Sequence, residues 1–206
     1  MTDYFALFDE PRRPWIDPEI LKAKFVGLSA QLHPDRVHVR PQSERQAANQ
    51  RYLELNAAYN CLRDPKTRLA HLLEVERGSK PDEVQNIPPG TVDLFMELTP
   101  TCREADAHLA ERSRITSPLL KAQLMERGLE LTDRLGVLRA KLEARRSHLV
   151  EQLKLLNMAW ESAPEVGSAN RLHVLPCGRL EQIYREISYL SPWTQQIHER
   201  IAHLSM

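Results

Sequence analysis

Gln31-Leu32-His33-Pro34-Asp35-Arg36 lies between two amphipathic stretches, and the reading of those stretches decides the fold. Upstream, Leu21, Phe25, Leu28 and Leu32 recur at intervals of four, three and four; downstream, Ala48, Tyr52, Leu55, Tyr59 and Leu62 repeat that spacing. Both stripes fit one face of a helix. Two such helices joined by a proline-bounded loop are expected to pack as an antiparallel pair with the loop at the tip. Pro34 disfavours helical geometry at His33 and fixes its own φ, so an imidazole and a carboxylate are presented on a stiff turn.

The flanking segments carry strong punctuation. Residues 3 to 8 read as a short first helix, closed by Pro11 and Pro14. Asp17-Pro18 offers an N-cap carboxylate followed by proline at the first helical position, which starts a second helix running to about Leu32. Ser43 is the expected cap of a third, from Glu44 to about Leu62, and Asp64-Pro65 starts a fourth that ends near Gly78. Lys80-Pro81-Asp82-Glu83 and Ile87-Pro88-Pro89-Gly90 have no periodicity and read as a linker. The expected organisation is a helical domain at 1–78, a linker at 79–90 and a second helical domain at 91–206.

Beyond Gly90 no segment reads as a strand. Thr91 or Asp93 can cap a helix that Thr99-Pro100 either kinks or divides. Ser117-Pro118 opens a long helix in which Leu124, Leu131, Leu135, Leu138, Leu142, Leu149, Leu153, Leu156 and Trp160 recur at sevens, fours and threes, the pattern of bundle packing. Residues 164 to 178 read as a loop, and a last helix runs from about Arg179 to Leu204, interrupted or kinked at Ser191-Pro192. The whole is expected to be all-α, its second half an antiparallel three-helix bundle.

Composition narrows the function. Of 206 residues, 28 are basic and 28 acidic, so no general attraction to nucleic acid or to a membrane surface is expected. No apolar run reaches membrane-spanning length, and Met1-Thr2-Asp3-Tyr4 opens neither a secretory signal nor an Arg-rich transit peptide, so a soluble, cytoplasmic protein is expected. Cys61, Cys102 and Cys177 are widely separated and form no C-x-x-C pair, which supports neither zinc nor an iron–sulfur cluster; free thiols in a reducing compartment, and no cofactor, are expected. A histidine and an aspartate flanking proline, with no nucleophile or metal beside them, make a poor catalytic site, so the chain is read as a non-enzyme.

Helix, His33-Pro34-Asp35 and helix together resemble the J-domain of DnaJ-type co-chaperones, whose His-Pro-Asp stimulates ATP hydrolysis by a DnaK-type chaperone. The tripeptide alone arises by chance in roughly one chain of this length in a hundred, so the helical stripes on both sides carry the resemblance. Asp3-Tyr4-Phe5-Ala6-Leu7-Phe8, Leu55-Asn56-Ala57-Ala58-Tyr59, Leu62-Arg63-Asp64-Pro65 and Arg68-Leu69-Ala70-His71-Leu72-Leu73 are similar to the HscB branch, J-proteins of iron–sulfur cluster assembly. The similarity is patchier beyond residue 78, at Leu149-Val150-Glu151-Gln152-Leu153, Trp160 and Tyr189-Leu190, with residues 164 to 178 reading as an insertion. Zinc-carrying members hold the metal on a cysteine-rich N-terminal extension, which is not expected here.

The resemblance implies a co-chaperone that stimulates a DnaK/HscA-type ATPase chaperone and delivers an IscU-type scaffold protein to it. The chaperone contact would fall on His33, Pro34, Asp35 and Arg36, with Lys22 and Lys24 as a basic patch that Val26, Gly27, Ser29 and Gln31 leave thin. Those two lysines read equally as a solvated helix face, and the region through Gly78, with 12 basic and 11 acidic residues, is almost neutral. The family's scaffold-binding Leu-Met pair falls on Phe95 and Met96, its acidic run reaches Glu97, and an aromatic that joins the surface falls on Tyr189. The next family leucine and glutamate fall on Thr99 and Pro100, so the charged half of that surface departs from the pattern. Phe95, Met96 and Tyr189 read alternatively as bundle core. A J-protein for a different client, a degenerate J-protein acting as a structural scaffold, and a helical enzyme or metal-binding protein are the rival classes.

Overall fold

The computed structural model describes residues 2–32, 41–82 and 85–205. Among them every regular element is helical: α1 (Tyr4–Leu7), α2 (Pro18–Leu32), α3 (Gln42–Arg63), α4 (Pro65–Arg77), α5 (Val92–Arg114), α6 (Pro118–Glu161), α7 (Arg171–Val174) and α8 (Cys177–Leu204). The fold class is the all-α one that the periodicity predicts.

Local chemistry sets most of the ends. Asp3 caps α1 by accepting from the Phe5 and Ala6 amides, and Asp17 accepts from those of Glu19 and Ile20 at the start of α2. Asp64 accepts from the Thr67 amide, and Gly78 ends α4 in the left-handed conformation at φ 79°, which glycine adopts without a Cβ penalty. One expected cap is corrected. α3 begins at Gln42 with Pro41 as its N-cap and no side-chain capping bond, so Ser43 lies inside the first turn. The fixed φ of Pro41, −51°, already turns the chain into the helix one residue earlier.

Neither proline breaks its helix. α5 runs through Pro100 and α8 through Pro192, although each removes an intrahelical hydrogen bond. Burial on both sides of each proline offsets that cost: Leu98, Thr101 and Cys102 flank the first, Leu190 and Trp193 the second. Residues 164–178 contain α7 and place Leu175 and Cys177 in the core, so the segment is more than a loop.

By contact the chain forms two compact units. The first joins residues 1–82 to residues 152–184. In it α2 packs along α3, with Phe25 stacked on Tyr59 at 4.1 Å between ring centres. Phe5, Phe8, Ile16, Leu21, Leu55 and Leu72 are buried, each contributing about 1.5–3 kcal/mol of apolar transfer. Arg68 is buried with them. Its Nε donates to the Pro14 carbonyl at 2.9 Å and its NH1 to that of Leu62 at 2.6 Å, while burial lowers its pKa to about 10. Residues 152–184 join this core through polar as well as apolar contacts. The Asn157 amide accepts from the Trp15 N–H and donates to the Trp15 carbonyl, both at 2.9 Å. Lys154 lies over the Trp15 ring.

The second unit holds residues 83–151 and 185–206. Its helices α5, α6 and α8 make a bundle whose direction is read from paired charges. Glu97 meets Lys141 and Glu104 meets Arg134, so seven residues up α5 are seven down α6, and the two are antiparallel. Asp106 pairs with Arg200, while Arg112 donates to the carbonyls of His203 and Leu204, so α8 runs parallel to α5. The predicted leucine stripe lies inward: Leu131, Leu135, Leu138, Leu142 and Leu149 are buried here, and Leu153 and Trp160 in the first unit. Only half-buried are Leu124 and Leu156. Part of the stretch read as a linker is packed. A Cβ on Gly90 would lie 2.7 Å from Arg145 NH2, the guanidinium that holds the buried Glu186, so glycine leaves room for that pair.

Candidate partner-binding surfaces

His33, Pro34, Asp35 and Arg36 lie outside the described residues. Their supports are described: α2 ends at Leu32, α3 starts at Gln42, and the Phe25–Tyr59 stack fastens the two helices. The two lysines assigned with the tripeptide differ in what they touch. Lys22 is exposed. Lys24 turns back onto the end of α1, where its ammonium pairs with Glu10 at 2.6 Å and donates to the carbonyls of Phe8 at 3.3 Å and Asp9 at 2.9 Å. Asp9 adopts φ 48° at this bend. Glu10 also pairs with Arg13 at 2.8 Å, and its side chain is 2% exposed. A buried carboxylate needs such partners, so Lys24 is held by the fold.

The other candidate surface is on α5 and α8. Met96 is 66% exposed, which sets it apart from the bundle core. Phe95 and Tyr189 are half-buried, and both lean on the buried Trp193, at 5.8 and 5.5 Å between ring centres. The structure thus brings two of the candidate aromatics together through a third that the sequence reading did not single out; its one signal is position, four residues after Tyr189. Glu97 is engaged with Lys141 at 2.5 Å. One turn farther on, Arg134 holds the Glu104 carboxyl below the usual carboxylate range by hydrogen bonding. Between these pairs Pro100, Thr101, Val137 and Leu138 line a groove of about 390 Å³.

At the far end of the same helix His108 is 1% exposed, and neither ring nitrogen has a hydrogen-bond partner. Burial and the cations Arg112 and Arg127 push its pKa down. Among the described residues no group of three histidine, cysteine or acidic side chains is placed to hold a metal ion. In the same residues no helix is long and apolar enough to cross a membrane.

No family model matches the sequence. Solved structures do match. The chaperone HscB from Vibrio cholerae superposes with a TM-score of 0.60 at 19% identity, over 97% of this chain and 99% of that one. The human co-chaperone protein HscB gives 0.63 at 18% identity, over 97% of this chain and 82% of that one. This is the HscB fold. The match spans both compact units, so the HscB arrangement of J-domain and C-terminal helical bundle holds along nearly the whole chain.

Proposed function

We propose that this protein is a J-domain co-chaperone of iron–sulfur cluster assembly, which stimulates the ATPase of a DnaK/HscA-type chaperone and brings an IscU-type scaffold protein to it. One observation carries the reading: a chain with the HscB fold over 97% of its length has His33-Pro34-Asp35 in the connection between α2 and α3. In this reading residues 1–78 act on the chaperone, 79–90 connect, and 91–206 hold the client. Asp35 meets a basic group of the ATP-bound chaperone, His33 and Pro34 fix the turn, and Arg36 and Lys22 add positive charge. Lys24 supports this surface by tying α2 to Glu10. The complex shifts the chaperone towards its hydrolysing state by binding that state better. Phe95, Met96, Glu97 and Tyr189 hold the scaffold and raise its effective concentration beside the chaperone. The protein does no bond chemistry of its own, and its partners place it in the cytoplasm.

The test is steady-state ATPase of the cognate DnaK-type chaperone, with and without an IscU-type scaffold. Synergy between this protein and the scaffold is expected, and Asp35→Asn should fold normally yet lose stimulation. Full stimulation by Asp35→Asn would refute the mechanism. A J-protein serving another client is the second reading, favoured by Pro100 and by the engagement of Glu97 with Lys141; stimulation indifferent to the scaffold would select it.

A further inference from the structure

The surface around Met96 does not stop at α5. Val92, Met96 and Pro100 follow one another at intervals of four along its exposed side, and Pro100 shares the groove with Val137 of α6, itself 58% exposed. The charged groups around this strip are balanced: Asp93, Glu97 and Glu104 against Arg103, Arg134 and Lys141. Four of the six are already spent on one another, Glu97 with Lys141 at 2.5 Å and Glu104 with Arg134 at 2.6 Å, and these two pairs bracket the Pro100–Val137 crossing. A face built to attract a charged partner leaves unbalanced charge pointing outward. Here the outward groups at the centre are a thioether, a pyrrolidine ring and an isopropyl group.

We infer that the client-binding face extends across the α5–α6 groove to Val137, and that its occupant is an uncharged, aliphatic protein surface. The inference rests on the proposed scaffold reading and adds to it a second helix and a chemistry. Apolar anchors between mutually satisfied charges bind by excluding water, and long-range steering contributes little. Association is therefore insensitive to ionic strength, because screening acts on net charge and not on buried aliphatic area. Either sign of charge at Val137 harms binding equally, since an aliphatic occupant has nothing to offer an ammonium or a carboxylate.

The experiment is the dissociation constant of the full-length protein with an IscU-type scaffold, measured by titration calorimetry at 50 and 500 mM salt, for wild type, Met96→Asp, Val137→Asp and Val137→Lys. All four are checked for native helicity and unchanged melting temperature, which exposed positions should preserve. Expected are a salt effect below about twofold for the wild type and a loss of about tenfold or more for each variant. Three results would overturn the inference while leaving the scaffold reading intact. These are loss with Met96→Asp but not with either Val137 variant, opposite effects of aspartate and lysine at 137, and affinity falling steeply with salt. A wild-type dimer that Val137→Asp dissociates would overturn it too, by making a second copy the occupant. Absence of any wild-type binding would remove the scaffold reading itself.

Discussion

Arg171 grips Glu76 with two prongs, Nε to Oε2 at 2.9 Å and NH2 to Oε1 at 2.7 Å, and both side chains are buried. A third guanidinium nitrogen donates to the Pro164 carbonyl at 2.6 Å, and Arg12 stands 3.6 Å from the same carboxylate. This fork fastens α7 to the end of α4 and turns residues 164–178 into a structural part of the first unit.

Removing one prong-bearing partner strands the other charge. Arg171→Ala is expected to destabilise the first unit by about 3 kcal/mol, near the low end for a broken buried pair because Arg12 still faces Glu76. The double variant Arg171→Met with Glu76→Leu should recover most of that loss. Urea unfolding of the three variants measures both, and equal destabilisation by the single and double changes would contradict the account.

Asn157 falls four residues after Leu153 and three before Trp160, a place where the helical pattern would accept leucine. Its amide is instead the hydrogen-bonding partner of both backbone polar groups of Trp15. Asn157→Leu should therefore lower stability by about 2 kcal/mol, despite improving the apolar stripe, since two buried backbone groups lose their partner. A stabilised variant in thermal melts would show that those groups find other partners.

His71 accepts a hydrogen bond at Nε2 from the Tyr4 amide at 3.0 Å and lies stacked between contacts with Tyr4 and Phe5. Burial pushes its pKa below the ordinary 6.5, although Asp3 and Glu74 oppose the shift. Above pH 6.5 the ring is neutral in folded and unfolded chains alike; below it the unfolded chain takes up a proton that the folded chain resists. Stability should thus be complete above pH 6.5 and fall as the pH drops towards the lowered folded value. His71→Gln, which can still accept from Tyr4, should flatten this part of the profile; an unchanged slope in denaturation between pH 7.5 and 5 would assign the loss to other groups.

Pro100 cannot donate to the Met96 carbonyl, yet α5 continues through it. Pro100→Ala is expected to raise stability by up to about 3 kcal/mol. It should also weaken binding of the scaffold by severalfold, because a ring that lines the groove is lost. Calorimetric melting and the binding titration report the two effects separately, and a lower melting temperature would mean that the ring's own packing outweighs the missing hydrogen bond.

The sequence by itself determined what acts over a few residues. Asp17 and Asp64 cap because a carboxylate just before a proline-started turn reaches the first free amides, Gly78 ends α4 because only glycine takes that φ freely, and the leucine repeat of α6 turns inward because helical period fixes which side chains share a face. The same local rules placed the cap of α3 on Ser43, one fixed proline angle too late, and left Pro100 and Pro192 as possible breaks. The tripeptide's setting between two amphipathic helices was legible for the same reason.

Only the tertiary structure decided which partners meet across long stretches of chain. Trp15 meets Asn157 across 142 residues, Arg171 finds Glu76, Lys24 is drawn onto Glu10, and Trp193 comes between Phe95 and Tyr189. No periodicity predicts such pairs. Each is a polar or aromatic group whose burial costs free energy until its counterpart arrives, and which counterpart arrives depends on how all the helices pack at once. For the same reason Met96 and Val137 could be recognised as one exposed face only after α5 and α6 were set side by side.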